Sequence, residues 1–334
     1  MRVYKIASFS VVILLVTVVL AGVAIVPAVA QYDTMQYRYN AAHAGDYSPV
    51  AGPVPSNGQL KWGLTTGSVV ISSPAVSNGV VYVGSDDGNV YALNATTGMK
   101  VWNYTTAGEV YSSPAVSNGV VYVGSENNKV YALNATTGVK VWSFTTGDAV
   151  LSSPAVVNGV VYVGSNDYNV YALNATTGAK LWNYTTGRAV LASPAVSNGV
   201  VYVGSENNNV YALNATTGVK VWNYTTGDAV LSSPAVTNGT VYVGSENNKV
   251  YALNATTGVK VWSFTTGSAV LSSPAVVNGT VYVGSYNSNV YAIGNEAAAT
   301  SQGTTPGFDV VLAFIGLVFV GLVIAAYAVK TYRY

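Results

Sequence analysis

The 334-residue chain has no cysteine and a single histidine, His43. The first absence excludes a disulfide framework, thiolate zinc sites, iron–sulfur clusters and thiol catalysis, and the second removes most histidine-dependent metal and acid–base sets. Charge is equally scarce, at 8% of residues, and Lys and Arg (14) nearly balance Asp and Glu (13). No basic stripe of the kind that holds nucleic acid is present. What the chain does have is 34 Gly and 26 Tyr, a balance that suits a turn-rich all-β protein.

The two ends explain part of the 50% hydrophobic content. Arg2 and Lys5 precede an apolar run from Ser8 to Val26 and the small-residue exit Pro27-Ala28-Val29-Ala30. That pattern predicts a secretory signal peptide over 1–30, with an uncleaved anchor as the alternative. Val310 to Val329 is free of charge and as a helix would span about 30 Å, one bilayer core. With Lys330 and Arg333 behind it, the tail over 309–334 reads as a transmembrane helix with a basic cytoplasmic end, which puts the rest outside the cell. A buried core helix would instead show an apolar–polar period, and none is visible. Setting aside Arg2, Lys5, Lys330, Arg333 and Asp309 leaves ten bases against twelve acids in the body.

Between the ends runs a forty-residue repeat. All six tryptophans fall in phase, at Trp62, Trp102, Trp142, Trp182, Trp222 and Trp262. Ser-Pro-Ala-Val recurs from Pro74 to Pro274, and an Asn-Gly pair from Asn78-Gly79 to Asn278-Gly279. One unit predicts four short strands, at 70–76, 80–84, 89–93 and 100–104. The first two are joined by Asn-Gly, whose two turn positions need positive φ. The last two are joined by Asn94-Ala95-Thr96-Thr97-Gly98, in which Asn bonds its own backbone and Gly takes the left-handed conformation. Four antiparallel strands per repeat make a propeller blade. The last unit lacks its tryptophan strand, and the chain opens with an orphan one, 59–64. The expected fold is therefore all-β, a six-bladed propeller over 59–294 whose N-terminal strand closes the ring and removes the open edge. A lead-in over 31–58 and a linker over 295–308 flank it.

The segment from Ala92 to Trp102, Ala-Leu-Asn-Ala-Thr-Thr-Gly-Met-Lys-Val-Trp, resembles the repeat signature of pyrroloquinoline quinone-like (PQQ-like) propellers, with Asn94 where Asp is usual. The lead-in from Tyr37 to Gly45 is similar to that of secreted members. The resemblance implies that each tryptophan packs between neighbouring blades, a burial of some 150–250 Å² per ring. Quinone-dependent dehydrogenases of that family use eight blades, a catalytic Asp, a Ca²⁺ site with Glu and Asn, and often a vicinal disulfide. This chain has fewer repeats, no cysteine, and units so alike that 118–147 and 238–267 differ only at Val120 against Thr240. A catalytic centre needs several different groups converging on one point, whereas a near-identical ring offers each group many times over. The expectation is a non-enzymatic protein without a cofactor: bound PQQ is not expected, no metal site is read from the sequence, and the carboxylate–amide loops are of a type that holds Ca²⁺ weakly at most.

Variation concentrates on one face. The blade-to-blade connections carry Asp148, Arg188 and Asp228, with Glu109 beside Gly108, and the second-to-third loops carry Asp86, Asp87, Asp167, Tyr168 and Tyr286. Variable loops on a rigid scaffold are the usual place for binding, so these nine residues are the candidates for a binding face. The opposite face and outer strands carry ten N-glycosylation sequons, at Asn94, Asn103, Asn134, Asn174, Asn183, Asn214, Asn223, Asn238, Asn254 and Asn278. Asn and Thr are also good turn formers, which explains the same placement. Pro306-Gly307-Phe308, followed by the apolar span and short basic end, resembles the PGF-type sorting tail of archaeal surface proteins. That resemblance implies cleavage near the motif and replacement of the tail by a lipid. The functional expectation is a binding module on the extracellular face of an archaeal membrane. Its partners would be the membrane, envelope proteins or an extracellular polysaccharide, and not nucleic acid. An envelope-assembly scaffold, like the family's outer-membrane assembly lipoproteins, and a surface-layer or sheath subunit are the alternatives, and a quinone-dependent dehydrogenase comes last.

Overall fold

In the computed structural model, the described residues are 58–294 and the backbone of a short strand, Thr34–Met35. The signal segment, the linker, the PGF motif and the apolar tail lie outside them. The described residues up to Ala292 fall in one compact unit, and of a second only Ile293 and Gly294 are described.

Among the described residues every regular element is a strand. Each of the six repeats, counted here as units one to six, builds an antiparallel sheet in sequence order. In unit one the strands are Ala75–Ser77, Val80–Gly84, Asn89–Asn94 and Lys100–Thr105. The first is shorter than the sequence predicts. Pro74 has no N–H to give a ladder, and the preceding Ser73 gives its N–H to Ser113 Oγ of the next unit at 2.8 Å, so pairing starts only at Ala75. The same serine link joins Ser113 to Ser153, Ser153 to Ser193, Ser193 to Ser233 and Ser233 to Ser273. The Asn-Gly turn takes the expected form, with φ of 49° at Asn78 and 73° at Gly79. The register then places Ala75 opposite Tyr82, Tyr82 opposite Ala92 and Ala92 opposite Trp102. A bulge after Ala92 leaves Val101 unopposed and half exposed on the outer strand.

Because side chains alternate, each sheet has two apolar faces. The row Ala75, Tyr82, Val90, Ala92 and Trp102 points onward to the next unit. It packs there against the rearward face of unit two, formed by Val116, Val121, Val123, Tyr131 and Leu133. The same cluster repeats between units two and three, three and four, and four and five. The core of this protein therefore lies between sheets, one portion per junction.

The tryptophan locks each junction. Trp102 donates its indole N–H to the Ala135 carbonyl of the following unit at 2.9 Å, and Tyr82 donates its hydroxyl to the same oxygen at 3.1 Å. The two rings lie 5.8 Å apart. Gly138 sits beneath the indole, where a Cβ would come within 2.7 Å of Trp102 and where φ is +71°. The Ala-Thr-Thr-Gly and Trp elements of the repeat thus belong to one contact, made between neighbours.

The ends differ from the expectation. Residues 59–64 form no strand, and the sixth sheet has three strands, Ala275–Val277, Thr280–Ser285 and Asn289–Ile293. The predicted closing strand is not paired with the last unit. Trp62 nevertheless keeps the role of its counterparts, donating to the Ala95 carbonyl of unit one at 2.9 Å above Gly98. Unit one gains instead a strand on its inner edge, with Thr34 opposite Ser77 and Met35 opposite Val76. Among the described residues no helix is long and apolar enough to cross a membrane.

Candidate functional site

The loop face is built by one repeated hydrogen bond. In each unit the first residue of the second-to-third loop gives its N–H to the connection leading into that unit: Asp86 to Val69, Glu126 to Glu109, Asn166 to Ala149, Glu206 to Ala189, Glu246 to Ala229 and Tyr286 to Ala269. Residues from loop and connection are thereby brought side by side: Asp86, Tyr286 and Glu109 stand at these two positions, and Asp148, Arg188 and Asp228 one residue before the connection position.

Two assemblies result. Over units four and five, Arg188 and Asp228 line a cavity of about 520 Å³ together with Glu206, Asn208, Glu246 and Leu231. Three carboxylates face one guanidinium, so the cleft is polar and net acidic. It suits a cationic group held among the acids, with Arg188 placed to give paired hydrogen bonds to a carboxylate. Over units one and two, Asp86, Glu109 and Glu126 stand beside Tyr111. The Glu126 carboxyl is pushed up to about 7, first by its hydrogen bond to Glu109, then by burial and by the charges of Glu109 and Asp86. Desolvation first, and then the charges of Asp86, Glu109 and Glu126, raise the Tyr111 hydroxyl. Glu109 is the only acid at its position in the six connections, so this shared proton occurs once. The Oδ1 atoms of Asp86 and Asn166 are buried acceptors without a hydrogen-bond partner.

Asp87 and Asp167, also expected on the binding face, turn out to be tied into the scaffold. Asp87 accepts from the Gly67 N–H at 2.7 Å, from Tyr91 OH at 2.6 Å and from the Asn89 N–H at 2.9 Å. Burial works against its charge, but these hydrogen bonds outweigh it and hold the carboxyl below its usual value. Asp167 repeats the set with Gly147, Tyr171 and Asn169. The other four units carry Asn, at 127, 207, 247 and 287, and there the amide donates to the carbonyl of Thr106, Thr186, Thr226 or Thr266. The residue after that carbonyl then has positive φ: 67° at Ala107, 97° at Gly187, 106° at Gly227 and 89° at Gly267, whereas Gly67 and Gly147 stay outside that region. An Asp calls for an N–H and an Asn for a C=O, so the choice of side chain turns the connecting peptide over.

The remaining candidates are dispersed. Asp148 is exposed and its carboxylate accepts from the adjacent Ala149 N–H. Tyr168 and Tyr286 are exposed, the former held at φ 75°. The structure gives the sequons a structural role as well. Asn94 Oδ1 accepts from the N–H groups of Thr96 and Thr97, as do Asn134, Asn174, Asn214 and Asn254 in their turns. Asn103, Asn183 and Asn223 donate their Nδ2 to Asn89, Asn169 and Asn209 across the outer edge. Asn238 and Asn278 open hairpin turns at φ 48° and 49°.

Glu126, Glu206, Glu246, Tyr111 and Leu231 belong to these assemblies but were absent from the predicted set. Their repeat position was the available signal, since Glu206 and Glu246 align with Asp86 at the first place of each loop.

The model of the outer membrane protein assembly factor BamB family matches 50–189 and 144–293, most of the chain. The chain belongs to this family. BamB from Moraxella catarrhalis shares 20% identity and a TM-score of 0.58, over 65% of this chain and 70% of that one. The quinohemoprotein alcohol dehydrogenase ADHIIG from Pseudomonas putida HK5 shares 22% and 0.59, over 69% of this chain but only 47% of the enzyme. The computationally designed protein Ika8 shares 18% and 0.61, over 67% of this chain and 70% of that one. No curated protein matches the chain. The likeness to these structures is one of fold, a propeller-type stack of repeated sheets that assembly factor and dehydrogenase have in common.

Proposed function

We propose that this protein is a non-enzymatic docking scaffold of the cell envelope, which holds a partner protein on its loop face. The observation that carries the reading is the acidic cleft over units four and five, where Arg188, Glu206, Asp228 and Glu246 converge on a scaffold otherwise made of near-identical repeats. Membership of a family described by an outer-membrane assembly factor supports the envelope setting. The chemistry of the cleft selects a partner surface with a basic residue beside a carboxylate. In this reading 1–30 exports the chain and 310–329 anchors it on the extracellular face of the membrane, with the PGF motif marking an archaeal exchange of that tail for lipid. Glycans on the turn sequons would keep the opposite face clear of contacts, and neither quinone nor metal takes part.

A pull-down from the native envelope tests it. Charge reversal at Arg188 and Asp228 (R188E with D228K) is expected to lose the partners that the unmodified chain retains, while D148K, outside the cleft, keeps them. An unchanged set of partners with R188E and D228K would contradict the proposal. A quinone-type absorption spectrum after addition of PQQ and Ca²⁺ would favour the dehydrogenase reading instead.

A further inference from the structure

Four internal junctions are one interface repeated, and its two halves recur unpartnered at the ends of the stack. On the onward face, Tyr82, Tyr122, Tyr162 and Tyr202 are 3–4% exposed, whereas Tyr282 of unit six is 42% exposed. Val90, Val130, Val170, Val210 and Val250 are wholly buried, and their counterpart Val290 is 81% exposed. Ala292 is exposed where Ala92 is buried. On the rearward face, Val70 of unit one is 45% exposed where Val110, Val150, Val190, Val230 and Val270 are fully covered. Val76, Val81 and Tyr91 are partly uncovered as well.

The strand edges match in the same way. The sixth sheet ends at its third strand, and residues 59–64 have the composition of a fourth strand but pair with no strand among the described residues, leaving Leu60 86% and Leu64 39% exposed. Transposing the register of unit one by the forty-residue period sets Leu64 opposite Val290 and Trp62 opposite Ala292. Trp62 is already seated on unit one, so the strip is held with its edge presented.

We propose that these surfaces join between two copies of this chain. Residues 59–64 of one copy complete the three-stranded sheet of another, and the onward face of unit six packs on the rearward face of unit one of the partner copy. The contact continues the internal interface with the same residue types in the same register. It is heterologous, so each copy keeps one half free and the association can extend head to tail. A solenoid-like stack ordinarily ends in polar caps, and apolar Val290 and Tyr282 at its end are instead the features of an unfinished junction. A second copy is favoured over closure within one chain because in this structure 59–64 and 289–292 belong to the same compact unit and yet 59–64 do not pair with the outer edge of that last strand. The proposal stands apart from the docking cleft, which charge reversal can disable without touching either end.

The absence of cysteine makes the test clean. Full-length L64C and V290C chains are purified separately in detergent, mixed and oxidised. The expected result is a covalent dimer that contains one of each and whose yield rises with concentration, and a ladder of multimers from the double variant L64C/V290C. A double variant that yields only an internally bridged monomer would overturn the proposal in favour of self-closure, and no bridge in either experiment would overturn it outright. Light scattering provides a readout without cysteine: the unmodified chain associates, and V290K is folded but monomeric. An unmodified chain that stays monomeric at every concentration, or V290K that associates equally well, would also overturn it.

Discussion

Val210 and Val290 occupy the same place in two copies of one repeat, yet the first is wholly buried and the second is 81% exposed. Tyr202 and Tyr282 differ in the same way. Nothing local distinguishes them, for both pairs stand in the same Val-Tyr contexts and both are strand residues. What differs is the neighbour. In this fold burial is conferred by the next unit, so a residue is core or surface according to its position in the stack and not according to its own sequence.

The comparison is broken most severely by placing a charge in it. Val210→Lys buries an unpaired ammonium in the junction between units four and five and is expected to cost about 4 kcal/mol or more, seen as a much lower unfolding midpoint; Val290→Lys is expected to cost less than about 0.5 kcal/mol in the monomer. Chemical denaturation of both variants measures the difference. Next in size, Trp142→Ala removes an indole held by the Ala175 carbonyl and is expected to cost about 3–5 kcal/mol. Trp262→Ala, in the half-buried position beside the last unit, is expected to cost clearly less on the same curve.

Smaller effects sharpen the contrast between scaffold and loop face. Ala107 carries the positive φ that glycine carries in the other Asn-type units, so Ala107→Gly is expected to stabilise by about 1 kcal/mol, seen as a higher midpoint. Glu126 titrates higher in the folded protein than its ordinary value of 4.5. Folding therefore takes up a proton there, and the stabilisation it contributes is full below about pH 4.5 and fades as pH rises through about 7. Partial solvent screening keeps this within about 1 kcal/mol. Melting temperatures of Glu126→Gln across pH 4–8 are expected to lack that segment of the slope and to match or exceed the unmodified chain at pH 8.

Much of the repeat was legible because its causes are local. Asn78-Gly79 specifies its hairpin through the φ values that only such residues accept readily, and the phase of the tryptophans announces a contact repeated every forty residues. Other features have distant causes. The inner strand begins at Ala75 and not at Val70 because Ser73 is claimed by a serine forty residues away. Residues 59–64 carry a strand pattern, but a strand needs an edge to pair with, and the pattern does not say whose. The roles of Asp87 and Asp167 were missed because carboxylates in variable loops resemble ligand contacts until the Gly67 and Gly147 N–H groups are seen pointing at them. The acidic cleft was half legible: Arg188 and Asp228 stood out as departures from the repeat, whereas Glu206 and Glu246 were hidden by recurring.

Hydrogen exchange along the stack tests most directly the claim that neighbours confer the core. In dilute protein, the amides of 130–133 are expected to exchange only through global unfolding, and those of 290–292 at least about a hundredfold faster through local opening. Equal protection of the two strands in dilute solution would contradict the account.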